Sequence, residues 1–383
     1  MIKYLRNTSW LFLEKIFRLS VGLFFAVWVT RYLGPDNFGL FSYSQSFVAL
    51  FSILAKLGLD SIAVREIVKG KRDEKEILGT VFYLKLIGAF FSIFIVITSA
   101  FFTKNDSEVI VFIFIISIST VFQAFNVIDF FFQSKVKSKF IVFSNMISSL
   151  ISSIIKVILI FNEASLTSFV VLYLIDSIVL AFLLVFFYRV NGYRLNAWCF
   201  NVDLAKSMLR ESSPLILGGF ISTIYMKIDQ MMINNMLGVA SVGYYSSAVR
   251  LSEAWFSIGV MICNSLFPAI INAKEKSLDL YYNRLFRLFR FFLLISYLAS
   301  FLTMFFSDFI INALYGVEFE EASKVLSVHI FSSVFIFLGV SSGRWIINEG
   351  KTHLDLYRNL SALIANVSLN YFLINEIGIL GAA

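Results

Sequence analysis

A chain of 383 residues that is 58% hydrophobic, with 45 phenylalanines, three prolines and a mean hydropathy of +0.82, carries more apolar surface than a soluble core can hide. It reads as an all-α polytopic membrane protein. The net charge of +7 raises nucleic-acid binding, but the basic residues gather in alternate loops between apolar runs, which excludes it.

Spanning a bilayer takes about 20 apolar residues. Segments of that kind fall near 9–32, 38–60, 79–102, 108–132, 140–161, 166–188, 214–236, 241–270, 284–307, 324–347 and 355–376, so about eleven transmembrane helices are expected. The amino end is basic at Lys3 and Arg6, but the first run is interrupted by Glu14, Lys15 and Arg18 and continues to full membrane length, unlike a cleaved signal peptide. With a cytoplasmic amino terminus, 21 lysines and arginines lie inside and three (Arg31, Lys104 and Lys324) lie outside. That asymmetry sets the expected orientation. The outer loops are short, and only residues 308–323 form an outer segment of any size, leaving no room for a soluble catalytic domain. The longest inner connection divides the chain into a six-helix bundle at 1–188, a cytoplasmic linker at 189–213 and a second bundle at 214–383.

The two halves share a pattern. Leu33-Gly34 matches Leu237-Gly238, Gly39 matches Gly243 and Ser42 matches Ser246, all at one offset of 204. Both hairpins enter from the same side, so the expected repeat is parallel, about an axis along the membrane normal. The closing GILGAA reads as the opening of another apolar segment, so a twelfth helix is expected in a complete protein.

Charges inside the apolar runs point to a polar lumen, because each costs about 2.5–3.5 kcal/mol at the bilayer centre unless it meets a partner or water. Glu14, Lys15 and Arg18 make one stripe, with Glu14 and Arg18 spaced to pair; interfacial snorkelling and lumen contact both fit them. Lys227 lies deep, with Asp229 nearly opposite on the same helix; a cationic cavity site and a structural ion pair stay open. Arg250 and Glu253 can pair with each other, and Asp176 is a lone carboxylate. Lys56, Lys85, Lys156, Asp129 and Arg344 lie near helix ends and read as snorkelling. Eight intramembrane cations against five carboxylates leave a positive interior, suited to an anionic substrate. Cys199 and Cys263 are far apart and His329 and His353 form no cluster, so neither a disulfide nor a metal site is expected. No phosphate-binding glycine loop or nucleophile elbow is present in the sequence.

Residues 7–72, with RYLGPDNFG, and residues 225–268, with KIDQ, resemble the two bundle openings of the Wzx-type O-antigen flippases of polysaccharide biosynthesis. The resemblance implies the multidrug/oligosaccharidyl-lipid/polysaccharide exporter fold: two pseudo-symmetric six-helix bundles around a central cavity. It implies transport of an undecaprenyl-pyrophosphate-linked oligosaccharide from the cytoplasmic to the periplasmic leaflet of a bacterial inner membrane. Lys15, Arg18, Lys227 and Arg250 would then bind the pyrophosphate, and Glu14 and Glu253 would serve structural ion pairs. Asp229 or Asp176 would couple a proton or sodium ion, with no other cofactor. Membrane lipids, a polysaccharide polymerase and assembly proteins are the expected partners. A cation-coupled multidrug exporter of the same superfamily is the first alternative, although its site should be more acidic. A membrane-embedded polysaccharide polymerase is the second, and it lacks the large outer loop such an enzyme needs.

Overall fold

A computed structural model describes residues 2–103 and 105–383, with side chains described except at 2–9, 11, 347, 352, 353 and 355. Lys3, Arg6, Lys104 and His353 therefore lie outside the described side chains.

The chain is helical nearly throughout, and no strand occurs among the described residues. The α-helices run in order as α1 (Ile2–Lys56), α2 (Asp60–Lys69), α3 (Glu74–Phe102), α4 (Ser107–Phe122), α5 (Val127–Ser134), α6 (Lys139–Phe161) and α7 (Leu166–Val190). The second half holds α8 (Val202–Leu237), α9 (Val239–Lys274), α10 (Leu278–Leu314), α11 (Glu320–His329), α12 (Ser332–Asn348) and α13 (Thr352–Ile377). Eight helical stretches among the described residues are long and apolar enough to cross a membrane, or nine when the pair Val317–His329 and Ser332–Ile346, bent by 46°, counts as one. One of these stretches, Phe12–Lys69, contains the break at Gly34 and so holds two spans. Adding α8, whose Lys227 and Asp229 lower its hydropathy, gives the eleven spans expected from the sequence. Lipid explains the large apolar side chains left on the outside, such as Phe94 (68% exposed), Phe102 (87%) and Phe305 (79%).

Local sequence sets the helix ends. Asp73 caps α3 by accepting from the Lys75 amide at 2.9 Å, and Ser277 caps α10 by accepting from the Leu280 amide at 3.0 Å. At Gly34 the backbone takes φ 70°, ψ 173°, and at Gly238 it takes φ 88°, ψ 176°. Only glycine adopts that region readily. The two matched turns of the repeat thus share one backbone conformation, and Pro35 opens the helix after the first.

The chain forms two compact units, one of residues up to Val29 with Tyr43–Ile228, the other of Thr30–Ser42 with Asp229–Ala383. In the first, α2, α3 and α5 enclose a core of Leu59, Ile77, Leu78, Val81, Phe131 and Phe132. The connection after α7 joins that core: Trp198 packs against it, and Leu204 and Met208 at the start of α8 are 3% and 2% exposed. Ion pairs border it, and a hydrogen bond from Arg65 holds the exposed Glu211 carboxyl below the usual carboxylate range. In the second unit, Phe267, Tyr281, Phe292 and Phe337 centre a smaller core. The residues after α13 turn back against that helix, and the Tyr245 hydroxyl lies 3.1 Å from the carbonyl oxygen of Ala382.

Candidate functional site: polar groups within the spans

Asp229 sits in the second unit at the meeting of three helices. Asn366 and Asn370, one turn apart on α13, point their amides at Asp229 Oδ1 from 3.0 and 2.7 Å. The Tyr245 hydroxyl of α9 lies 2.9 Å from Asp229 Oδ2. That hydroxyl has one proton, so it serves either Asp229 or the Ala382 carbonyl at any moment. Asn366 Oδ1 is buried with no hydrogen-bond partner. Two amide N–H donors and a phenol therefore converge on one carboxylate. Among the described residues no three histidine, cysteine or acidic side chains gather to hold a metal.

Arg250 lies five residues after Tyr245 on α9, half-buried, with its guanidinium carbon 5.0 Å from the centre of the Phe38 ring. A guanidinium is a planar fork of N–H donors that suits bidentate contact with phosphate, and an aromatic face attracts its charge. The Tyr315 hydroxyl fixes the adjoining turn by donating to the Ser247 carbonyl at 3.2 Å. Glu253 follows one turn after Arg250 on α9, and the Ser257 hydroxyl donates to its backbone carbonyl at 3.0 Å.

In the first unit Glu14 and Arg18 pair at 3.4 Å, the spacing expected from the sequence; the Glu14 side chain is 5% exposed and that of Arg18 57%. Lys15 beside them is exposed, and Lys227 on α8 is half-buried. Asp176 on α7 accepts a hydrogen bond from the Ser152 hydroxyl of α6 at 2.8 Å. The cations expected to share a cavity are thus distributed, with Lys15, Arg18 and Lys227 in the first unit and Arg250 in the second.

One residue read as snorkelling, Lys85, is placed otherwise. Lys85 is only 4% exposed; its ammonium pairs with Asp60 at 2.8 Å and stands 4.5 Å over the Phe130 ring. Arg344 bonds to Asn264 and lines a cavity of about 340 Å³ with Phe267, Pro268, Ile271 and Asn272. Depth along a helix does not reveal such partners, because they come from other helices. The Lys85 pair is lopsided, since Asp60 is half exposed. Asp60→Ala should therefore lower stability by about 3–5 kcal/mol, by stranding a buried ammonium, while Lys85→Met should lose less than half of that. Thermal unfolding of both variants in detergent would measure the order, and the reverse order would contradict it.

Sequence reading missed Asn366, Asn370 and Tyr245. Two asparagines at i,i+4 spacing within an apolar helix were the available signal.

A family model described as "Polysaccharide biosynthesis protein" matches residues 4–274, and a MatE model matches residues 214–372. The chain is 20% identical to the capsular polysaccharide biosynthesis protein CapF of Staphylococcus aureus, covering 99% of this chain and 94% of the relative. It is 21% identical to a putative O-antigen transporter of Shigella flexneri, covering 99% and 93%. Among solved structures, the lipid II flippase MurJ in an inward closed conformation superposes with a TM-score of 0.73 at 16% identity, over 97% of this chain and 82% of that one. An inward-facing multidrug transporter of the MATE family superposes with a TM-score of 0.70 at 15% identity, over 96% and 89%. At such identities the structural likeness speaks to the fold.

Proposed function

The chain belongs to the polysaccharide biosynthesis protein family, and on that premise we propose that it flips a polyprenyl-pyrophosphate-linked oligosaccharide across a bacterial inner membrane. It is a multi-span membrane transporter of the multidrug/oligosaccharidyl-lipid/polysaccharide exporter superfamily and not an enzyme. In the proposed orientation the amino terminus is cytoplasmic, and cargo moves from the cytoplasmic to the periplasmic leaflet, on to a polymerase and assembly proteins.

The observation that carries the substrate reading is Arg250, a guanidinium kept inside an apolar span and set 5.0 Å from the centre of the Phe38 ring. A pyrophosphate cannot enter hydrocarbon as a dianion, and charge-assisted bonds from Arg250, Lys227, Arg18 and Lys15 would replace its water. The polyprenyl tail stays in lipid. Coupling falls to Asp229: with Asn366, Asn370, Tyr245 and the Ala382 carbonyl it would hold a proton or a sodium ion, which supplies the driving gradient. Asp176, which accepts from the Ser152 hydroxyl, is the lesser candidate.

Variants of the cations test the reading. Arg250→Ala and Lys227→Ala should each reduce flipping at least about tenfold with normal membrane insertion, whereas Lys227→Arg should keep most of it. Alanine variants that insert and flip normally would remove these residues from the site. The MatE match over 214–372 favours one rival, a cation-coupled drug exporter; export of a cationic dye without flipping would support it.

A further inference from the structure

Thr30–Ser42, the turn of the first hairpin, packs within the second unit, and the equivalent positions of the repeat meet there. A Cβ on Gly39 would overlap the Val239 carbonyl, and a Cβ on Gly243 would overlap the Pro35 carbonyl. Residues 35 and 239, like 39 and 243, stand 204 apart. Each hairpin therefore offers the other the same contact it receives, the isologous geometry of a two-fold dimer realised inside one chain. The next equivalent pair, Ser42 and Ser246, is buried, and both hydroxyls lack a hydrogen-bond partner.

Such a seam is tight but poorly bonded. Bare backbone meets bare backbone, and two orphaned hydroxyls would gain partners in water if the seam parted. Phe38 adjoins it, one residue before Gly39, with none of its surface exposed, and its ring is the face on which Arg250 rests at 5.0 Å.

We propose that Phe38 is a latch, a positioning residue through which Arg250 holds the Gly39–Gly243 seam shut, and that a phosphate group taking the guanidinium lets the seam part. This rests on Arg250 as a phosphate contact. A bidentate phosphate neutralises the charge that the ring attracts and fixes the guanidinium plane in its own geometry, so the ring loses its partner when cargo arrives. The seam is then the outer seal of an alternating-access cycle, opened by the anion it is meant to release.

The test uses a cysteine-free background, Cys199→Ser with Cys263→Ser, carrying Ser42→Cys as reporter. In proteoliposomes, labelling by a membrane-impermeant maleimide, added from one face at a time, is followed with and without inorganic pyrophosphate. The reporter should label slowly, and about tenfold faster with pyrophosphate, a change equivalent to about 1.4 kcal/mol. Adding Phe38→Leu should give the fast rate without pyrophosphate and remove the response, while Phe38→Tyr should behave as the parent. A Phe38→Leu reporter that labels slowly and still responds overturns the latch, whatever the cargo proves to be. Fast labelling in Phe38→Leu with a parent indifferent to pyrophosphate overturns the phosphate trigger and the Arg250 reading with it. Because the parent and Phe38→Tyr keep a native-sized aromatic ring, their response stands even if Phe38→Leu folds poorly.

Discussion

Gly243→Leu is expected to abolish transport while the protein still inserts, and to lower stability by about 3 kcal/mol or more. Overpacking a side chain among other side chains costs about 1–3 kcal/mol because rotamers can yield. Here the obstacle is the Pro35 carbonyl, held by a helix start, and it cannot rotate away. Gly39→Leu should match it, through the Val239 carbonyl. Since both changes forbid one reciprocal contact, the double variant should be little worse than either alone, a departure from additivity of neighbouring sites. Gly218→Ala, where nothing lies within 4 Å, serves as the neutral control. Unfolding temperatures in detergent and flipping rates for the four proteins measure the effect. Strict additivity would mean that the two glycines serve separate contacts.

Asp229→Asn should leave the fold near native and remove the response of transport to an imposed ion gradient. The asparagine keeps an acceptor oxygen for the amides of Asn366 and Asn370, 3.0 and 2.7 Å away in the native site, but it can neither be protonated nor balance a cation. Asp229→Ala should additionally destabilise by about 1–3 kcal/mol, because amides facing the site lose their acceptor where water is scarce. Flipping measured under a proton gradient and, separately, a sodium gradient distinguishes the two ions. Undiminished stimulation by both in Asp229→Asn would move coupling elsewhere, to Asp176 first.

The parts of this molecule legible in the sequence are those set by local chemistry. Apolar runs of bilayer length gave the eleven spans, because a backbone in lipid must bond internally and so must be helical. The Gly34 and Gly238 turns were legible because their backbone conformation requires glycine, and the Glu14–Arg18 pair because i,i+4 geometry is fixed by the helix. What escaped depended on contacts between distant segments. Lys85 read as a snorkelling lysine because its partner, Asp60, and the Phe130 ring come from other helices. Asp229 was legible as a charge, but its asparagine partners lie 137 and 141 residues away. The matched glycines were visible at their offset of 204, yet nothing in the pattern said that each hairpin would seat itself on the other's carbonyl.

Leaflet translocation by the purified protein is the measurement to make. Proteoliposomes would carry a fluorescent polyprenyl-pyrophosphate oligosaccharide, and an external glycan-cleaving enzyme would report its arrival in the outer leaflet. Protein-dependent exposure, lost in Arg250→Ala and Gly243→Leu and retained in Gly218→Ala, is the expected result. Exposure no faster than in protein-free liposomes, with uptake of a cationic dye in its place, would contradict the lipid-linked substrate and assign the chain to drug export.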